Sequence, residues 1–166
     1  MSCANYLRPA LRLEDRRECV DSIVKEIQDI QNRDGKIDFI AVIGVSGLLI
    51  GPIISYLTNI PLVVVRSNDN KSHSSRTVEY DSSINSFRTK KYVIIDDLVD
   101  SGATLERIGA EIDESFPKAK CLGILFYSRL FWMTDEKIRN TVKAVKSIRF
   151  FHNVPHIMIP NNCTEE

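Results

Sequence analysis

The stretch from Tyr92 to Leu105, Tyr-Val-Ile-Ile-Asp-Asp-Leu-Val-Asp-Ser-Gly-Ala-Thr-Leu, constrains this chain more than any other. Four consecutive apolar residues, Tyr92 to Ile95, read as a strand buried on both faces, and that is the pattern of a parallel sheet covered by helices. The strand runs directly into Asp96, Asp97 and Asp100. Carboxylates crowded at the mouth of a buried strand repel one another and resist desolvation, so they need hydroxyls, cations or a metal to sit against. Ser101-Gly102-Ala103-Thr104 follows, small residues that let backbone N–H groups converge on an anion where a helix begins. The combination places acids for sugar hydroxyls beside amides for a phosphate.

From Tyr92 to Thr104 the stretch resembles, without a gap, the phosphoribosyl-diphosphate (PRPP) motif of the type I phosphoribosyltransferases. The resemblance implies an α/β fold, a doubly wound, mainly parallel sheet flanked by helices, with a small hood and a flexible loop. It implies that Asp96 and Asp97 hold the ribose hydroxyls and that Asp100, Ser101, Gly102, Ala103 and Thr104 wrap the 5′-phosphate. Mg²⁺ is implied as a cofactor that arrives with PRPP near Asp96 and Asp97, with no direct protein ligand. An acid at position 100 resembles the members acting on 6-oxopurines, the xanthine-guanine and hypoxanthine enzymes, where it handles the proton of purine N7.

The rest of the chain supplies the expected partners of this motif. Cys19, Val20, Ile23, Val24, Ile27 and Ile30 recur at helical spacing after Glu14, and Gly35 stops that helix. Pro9 argues against a helix in the irregular residues 1–13. A strand is predicted over Ile37–Ile43, a turn over Gly44–Gly47 and a helix over Leu48–Leu57. In the family this turn is the diphosphate loop, so the resemblance implies diphosphate contacts from Val45, Ser46 and Gly47; many members carry Lys or Arg where this chain has Ser46. Leu62–Val65 is a second apolar strand, and Arg66 at its end has the planar fork of donors that suits a diphosphate.

Residues 67–91 lose the apolar rhythm and occupy the place of the family's flexible active-site loop. Thr77–Tyr80 can form a short strand within it. Lys71, His73 and Arg76 are its candidates for contacting diphosphate, with Asp100, Arg66 and Lys71 expected to be catalytic. Arg88-Thr89-Lys90-Lys91 reads as a solvated turn. A helix is expected over Ala103–Ser115, a strand over Cys121–Tyr127, a helix over Thr134–Val145, and short strands over Ser147–Phe151 and His156–Pro160. Base contacts are expected from Tyr127, Arg129, Phe151 and Ile157. Tyr127 stands where the 6-oxopurine enzymes carry Lys, and Ile157 where they carry an aromatic.

At 166 residues the chain reads as one domain, with 1–13 and about 128–166 as candidate hood and tail. Lys plus Arg equals Asp plus Glu, 22 against 22, which argues against a nucleic-acid or anionic-membrane partner and makes any anion site local. No apolar run reaches a membrane span and the start lacks a signal-peptide core, so a cytoplasmic protein is expected. Cys3, Cys19, Cys121 and Cys163 have no metal-ligand spacing. Two functions of different class fit: a Mg²⁺-dependent transferase joining PRPP to a nucleobase, working as a homo-oligomer, commonly a dimer in the family, or a regulatory protein that keeps the PRPP site as a sensor.

Overall fold

The computed structural model describes residues 6–66, 77–84, 88–129, 133–145 and 156–159. Lys71, His73, Arg76 and Phe151, the expected strand over 147–151, and Cys3 and Cys163 lie outside the described residues.

A short helix, α1 (Arg8–Leu11), forms where Pro9 argued against one. The proline stands in the first turn, where its missing N–H has no intrahelical partner to lose. Helix α2 (Leu13–Asp34) follows, with Glu14 and Asp15 in its first turn and Gly35 ending it at φ +86°. Its buried stripe is Val20, Ile23, Ile27 and Ile30. Then come β1 (Phe39–Ile43), α3 (Gly44–Thr58), β2 (Leu62–Val65), β3 (Val78–Tyr80), β4 (Lys91–Asp96), α4 (Ala103–Ser115), β5 (Lys120–Phe126), α5 (Asp135–Ala144) and β6 (His156–Met158).

The strands form one six-stranded sheet in the order β3-β2-β1-β4-β5-β6. Every pairing is parallel except β2 with β3. Alternate residues of each central strand belong to two separate cores. On one face Tyr92 and Ile94 join Phe39, Ala41, Leu105, Ile108 and Ile112 of α4, and Ile138 and Val142 of α5. On the other, Val93 and Ile95 join Ile40, Val42 and the buried stripes of α2 and α3. Burial on both faces explains the unbroken apolar run, since each fully buried aliphatic side chain contributes about 1.5–3 kcal/mol. Phe39 stacks on Tyr92 with centroids 5.1 Å apart, tying β1 to β4. The basic turn before β4 is more than solvated. Asp38 accepts a hydrogen bond from the Lys91 N–H at 2.8 Å, and the Lys90 ammonium lies 3.9 Å from it.

Helix α3 lies unusually close to β1. A Cβ on Gly47 would stand 2.7 Å from Val42 Cβ, and one on Gly51 2.8 Å from Val42 Cγ1. Gly47→Ala is therefore expected to destabilise the fold by about 1–3 kcal/mol, because a branched side chain on a central strand has nowhere to go. Urea unfolding measures this, and an unchanged midpoint would show that the helix can lift without cost.

The order of the strands positions a site. From β1 the chain crosses through α3 to β2 on one side, whereas β4, on the other side of β1, leads through α4 outward to β5. The direction of winding thus reverses between β1 and β4, and ligands of such sheets bind in the crevice outside the carboxyl ends at that reversal. Ile43 pairs with Val65, and Asp96 with Phe126, so these strand ends share one rim.

Candidate active site

Two carboxylates close the central strand inside the protein. Asp96 is 2% exposed and Asp97 9%. Asp96 Oδ1 accepts from the Asp97 N–H at 2.9 Å and from Ser46 Oγ at 3.1 Å, and Asp97 Oδ1 accepts from the Leu98 N–H at 2.8 Å. Among the described residues neither carboxylate has an ion pair. Burial, reinforced by the neighbouring Asp97 charge, pushes Asp96 up to about 8. Burial also raises Asp97 above the ordinary carboxylate range. Two carboxyl groups buried side by side lack a partner that a polyhydroxyl ligand or a cation could supply.

The turn after them opens a cavity of about 320 Å³, lined by Asp97 through Leu105 and by Tyr6. Gly102 takes φ +82° as the residue capping α4, a conformation that disfavours any other residue. A Cβ there would also meet Thr141 Cγ2 at 3.2 Å and Val145 Cγ2 at 3.3 Å, so the end of α5 packs against the turn. Asp100, Ser101, Gly102, Ala103 and Thr104 all line the cavity, at the N-terminus of a helix whose first turn and dipole favour an anion, with the Ala103 N–H donating to Ser101 Oγ at 3.3 Å.

Across the switch point, residues 44–47 are helical rather than a separate turn. Helix α3 begins at Gly44, which takes φ +61°. One positive-φ glycine makes the reversal that the sequence spread over four residues. Val45 is 71% exposed at that helix start, while Gly47 is buried against Val42. Ser46 ties two elements together: its hydroxyl donates to Asp96, and its carbonyl accepts from the Tyr127 hydroxyl at 2.8 Å. Arg66 ends β2 with Nη1 3.2 Å from Glu79 Oε1, and its carbonyl accepts from Arg107 Nη2 at 2.6 Å.

The base-contact candidates are placed apart. Tyr127 is 3% exposed, sits in the core with its hydroxyl on Ser46, and has its phenol pushed upward by burial. Arg129 donates to the Met133 carbonyl at 2.9 Å and pairs with Asp135 at 2.7 Å. Ile157 pairs with Ile124 inside the sheet, three positions back from Tyr127, and is half-buried against the core. Ser128, which follows Tyr127, is buried, its hydroxyl has no hydrogen-bond partner among the described residues, and its N–H donates to the Asp97 carbonyl at 2.8 Å. Cys19, half-buried, and Cys121, buried, are free thiols; burial pushes both up to about 12, which makes them poor nucleophiles.

Tyr6, Glu79 and Arg107 are contributors that sequence reasoning missed. Tyr6 belongs to an irregular segment with no periodicity, and it reaches the cavity because buried Pro9 and Ala10 anchor α1. Glu79 and Arg107 look like ordinary surface charges on a short strand and an amphipathic helix; only the pairing of β2 with β3 and the packing of α4 bring them to Arg66. Among the described residues no group of three or more His, Cys, Asp or Glu could hold a metal, and no helix is long and apolar enough to cross a membrane.

Known proteins share this fold. The adenine phosphoribosyltransferase of Leishmania donovani superposes with a TM-score of 0.67 at 17% identity, over 98% of this chain and 74% of that one. The enzyme of the same name from Trypanosoma brucei, solved with AMP, pyrophosphate and ribose-5-phosphate, gives 0.63 at 18% identity over 93% and 70%. Orotate phosphoribosyltransferase from Francisella tularensis gives 0.59 at 15% identity over 90% and 67%. At these identities the likeness is one of fold. A transcriptional regulator, GfcR of Methanocella arvoryzae, is 23% identical over 116 residues, 67% of this chain and 55% of the regulator, so the chain spans about half the length of this curated relative. Residues 10–155 match the phosphoribosyl transferase domain, a span that takes in the strand-end acids, the Asp100–Thr104 turn and the start of α3 alike, and the chain belongs to that family.

Proposed function

We propose that the protein binds PRPP at the β1/β4 rim and transfers its phosphoribosyl group to a nucleobase, releasing diphosphate. The observation that carries this reading is the buried Asp96–Asp97 pair at the edge of the cavity that Asp97 and Asp100–Thr104 line at the start of α4. Acids for ribose hydroxyls and a helix N-terminus for the 5′-phosphate are what such a substrate requires. In the reaction the C1–O bond to diphosphate breaks as a C1–N bond to the base forms, through a state with oxocarbenium character. The protein's work is therefore charge placement rather than covalent catalysis. The amides of Val45, Ser46 and Gly47 and the Arg66 side chain take the growing charge on diphosphate, and Asp100, lining the cavity, is the group to accept the base's proton.

The all-oxygen donors at the rim, two carboxylates without a cationic partner among the described residues, fit a hard cation. Mg²⁺ carried by PRPP would neutralise its diphosphate, and Asp96 and Asp97 are the residues that would lie near it. Asp100 supports a 6-oxopurine as the acceptor. A second reading, a PRPP-responsive regulatory protein, is favoured by the similarity to a transcriptional regulator.

Incubation with PRPP, Mg²⁺ and a panel of purine and pyrimidine bases separates the two. The expected result is equimolar nucleoside monophosphate and diphosphate with a 6-oxopurine. Turnover of adenine or orotate alone would overturn the purine assignment, and PRPP binding without turnover of any base would leave the regulatory reading.

A further inference from the structure

Arg66, assigned above to diphosphate, already holds an anion. Its Nη1 lies 3.2 Å from Glu79 Oε1, with the arginine side chain 22% exposed and the glutamate 42%. The pair is set by the one antiparallel contact of the sheet. Strand β3 runs back along β2 with Glu79 opposite Val64 and Val78 opposite Val65, and the Arg66 N–H donates to the Thr77 carbonyl at 2.8 Å. The other backbone group of Arg66 is held as well, by Arg107 of α4, the helix whose N-terminus forms the phosphate turn. Backbone fixed on both sides leaves the guanidinium free to exchange partners only by side-chain rotation.

We infer that Glu79 is a positioning residue that occupies Arg66 in the absence of diphosphate and competes with it for the guanidinium, lowering affinity for PRPP and diphosphate alike and hastening release of the product. This rests on the PRPP-site reading above. A partly exposed ion pair is weak and salt-screened, so a diphosphate, with more charge and several acceptor oxygens, can displace the carboxylate, yet only against its competition. The competition acts equally on the bound substrate and the departing product, because both present the same group to Arg66. Glu79 acts on both ligands through the arginine.

The test is calorimetric titration with PRPP and with inorganic diphosphate, each with Mg²⁺, at low and high salt. The proteins are wild type, Glu79→Gln, Glu79→Asp, Arg66→Gln and the Arg66→Gln/Glu79→Gln double variant. Glu79→Gln is expected to bind both ligands about 3- to 10-fold tighter at low salt, with a smaller gain at high salt. The gain should be absent without Arg66, and Glu79→Asp should stay near wild type. In steady state Glu79→Gln should lower the KM for PRPP by a similar factor without raising kcat. A misfolded variant would lose binding rather than gain it, so fold damage does not imitate the result. Equal or weaker binding by Glu79→Gln, or a gain that persists in the Arg66→Gln background, overturns the role of Glu79 while PRPP binding by wild type stands. If wild type binds neither ligand, the PRPP-site reading fails first and this inference with it.

Discussion

Asp97→Asn is expected to weaken PRPP binding by about 100-fold while leaving the protein folded. A hydrogen bond from a sugar hydroxyl to a buried carboxylate is charge-assisted and contributes about 1.5–3 kcal/mol, and 100-fold corresponds to about 2.7 kcal/mol. The asparagine keeps an Oδ1 that can accept the Leu98 N–H, which Asp97 now receives at 2.8 Å, so the turn does not lose its internal bond. What it loses is the charge and an acceptor for ligand hydroxyls. Titration with PRPP and Mg²⁺, backed by melting curves of both proteins, gives the result directly. An unchanged Kd would mean that the acidic pair does not hold the ribose, and the reading of the rim would have to be abandoned.

Asp96 should make the ligand-free protein less stable as pH rises through neutrality, the reverse of ordinary carboxylate behaviour. Its folded-state pKa, raised to about 8 by burial and by Asp97, lies above the ordinary unfolded value of about 4. Between these values the folded state binds more protons than the unfolded chain, so stability falls as pH rises from about 4 to about 8 and then levels off. Asp96→Asn removes this slope, because the neutral amide can still accept from Ser46 and from the Asp97 N–H. We expect the variant to exceed wild type by about 2–4 kcal/mol at pH 8 and to match it near pH 4, while binding PRPP poorly. Thermal melts across that range decide it through the difference between the two proteins, which cancels the contributions of groups that do not interact with Asp96. A difference that stays constant with pH would rule out a proton held at Asp96.

The extent to which fold and site were legible in the sequence follows from how local each feature is. Strand β4 and the helix after it were readable to within a residue, because a doubly buried strand must be uniformly apolar and Gly102 must supply a positive φ where the chain turns into α4. The short strand expected over Thr77–Tyr80 from its alternation forms as Val78–Tyr80, and the helix expected over Thr134–Val145 forms as Asp135–Ala144 behind the Thr134 cap. Helix α1 was misread, since Pro9 argues against a helix interior but suits a first turn. The start of α3 was misread because two glycines resemble a loop, whereas one of them is buried only so that the helix can touch Val42. Tyr6, Glu79 and Arg107 left no pattern at all, because a residue's distance across a fold is not encoded in its neighbours along the chain.

By itself the sequence determined the chemistry of the rim: Asp96, Asp97 and the Asp100–Thr104 turn are contiguous, and contiguous residues at a strand end must share one place whatever surrounds them. Only the tertiary structure decided what meets them there. The parallel register brings Ile43, Val65, Asp96 and Phe126 to one edge, and the reversal of winding between β1 and β4 opens the crevice. It also commits the Ser46 hydroxyl to Asp96, Tyr127 to the Ser46 carbonyl and Arg66 to Glu79. Those are contacts between residues far apart in the chain, and they arise because the hydrophobic faces of the sheet can be buried in only one stacking of strands and helices.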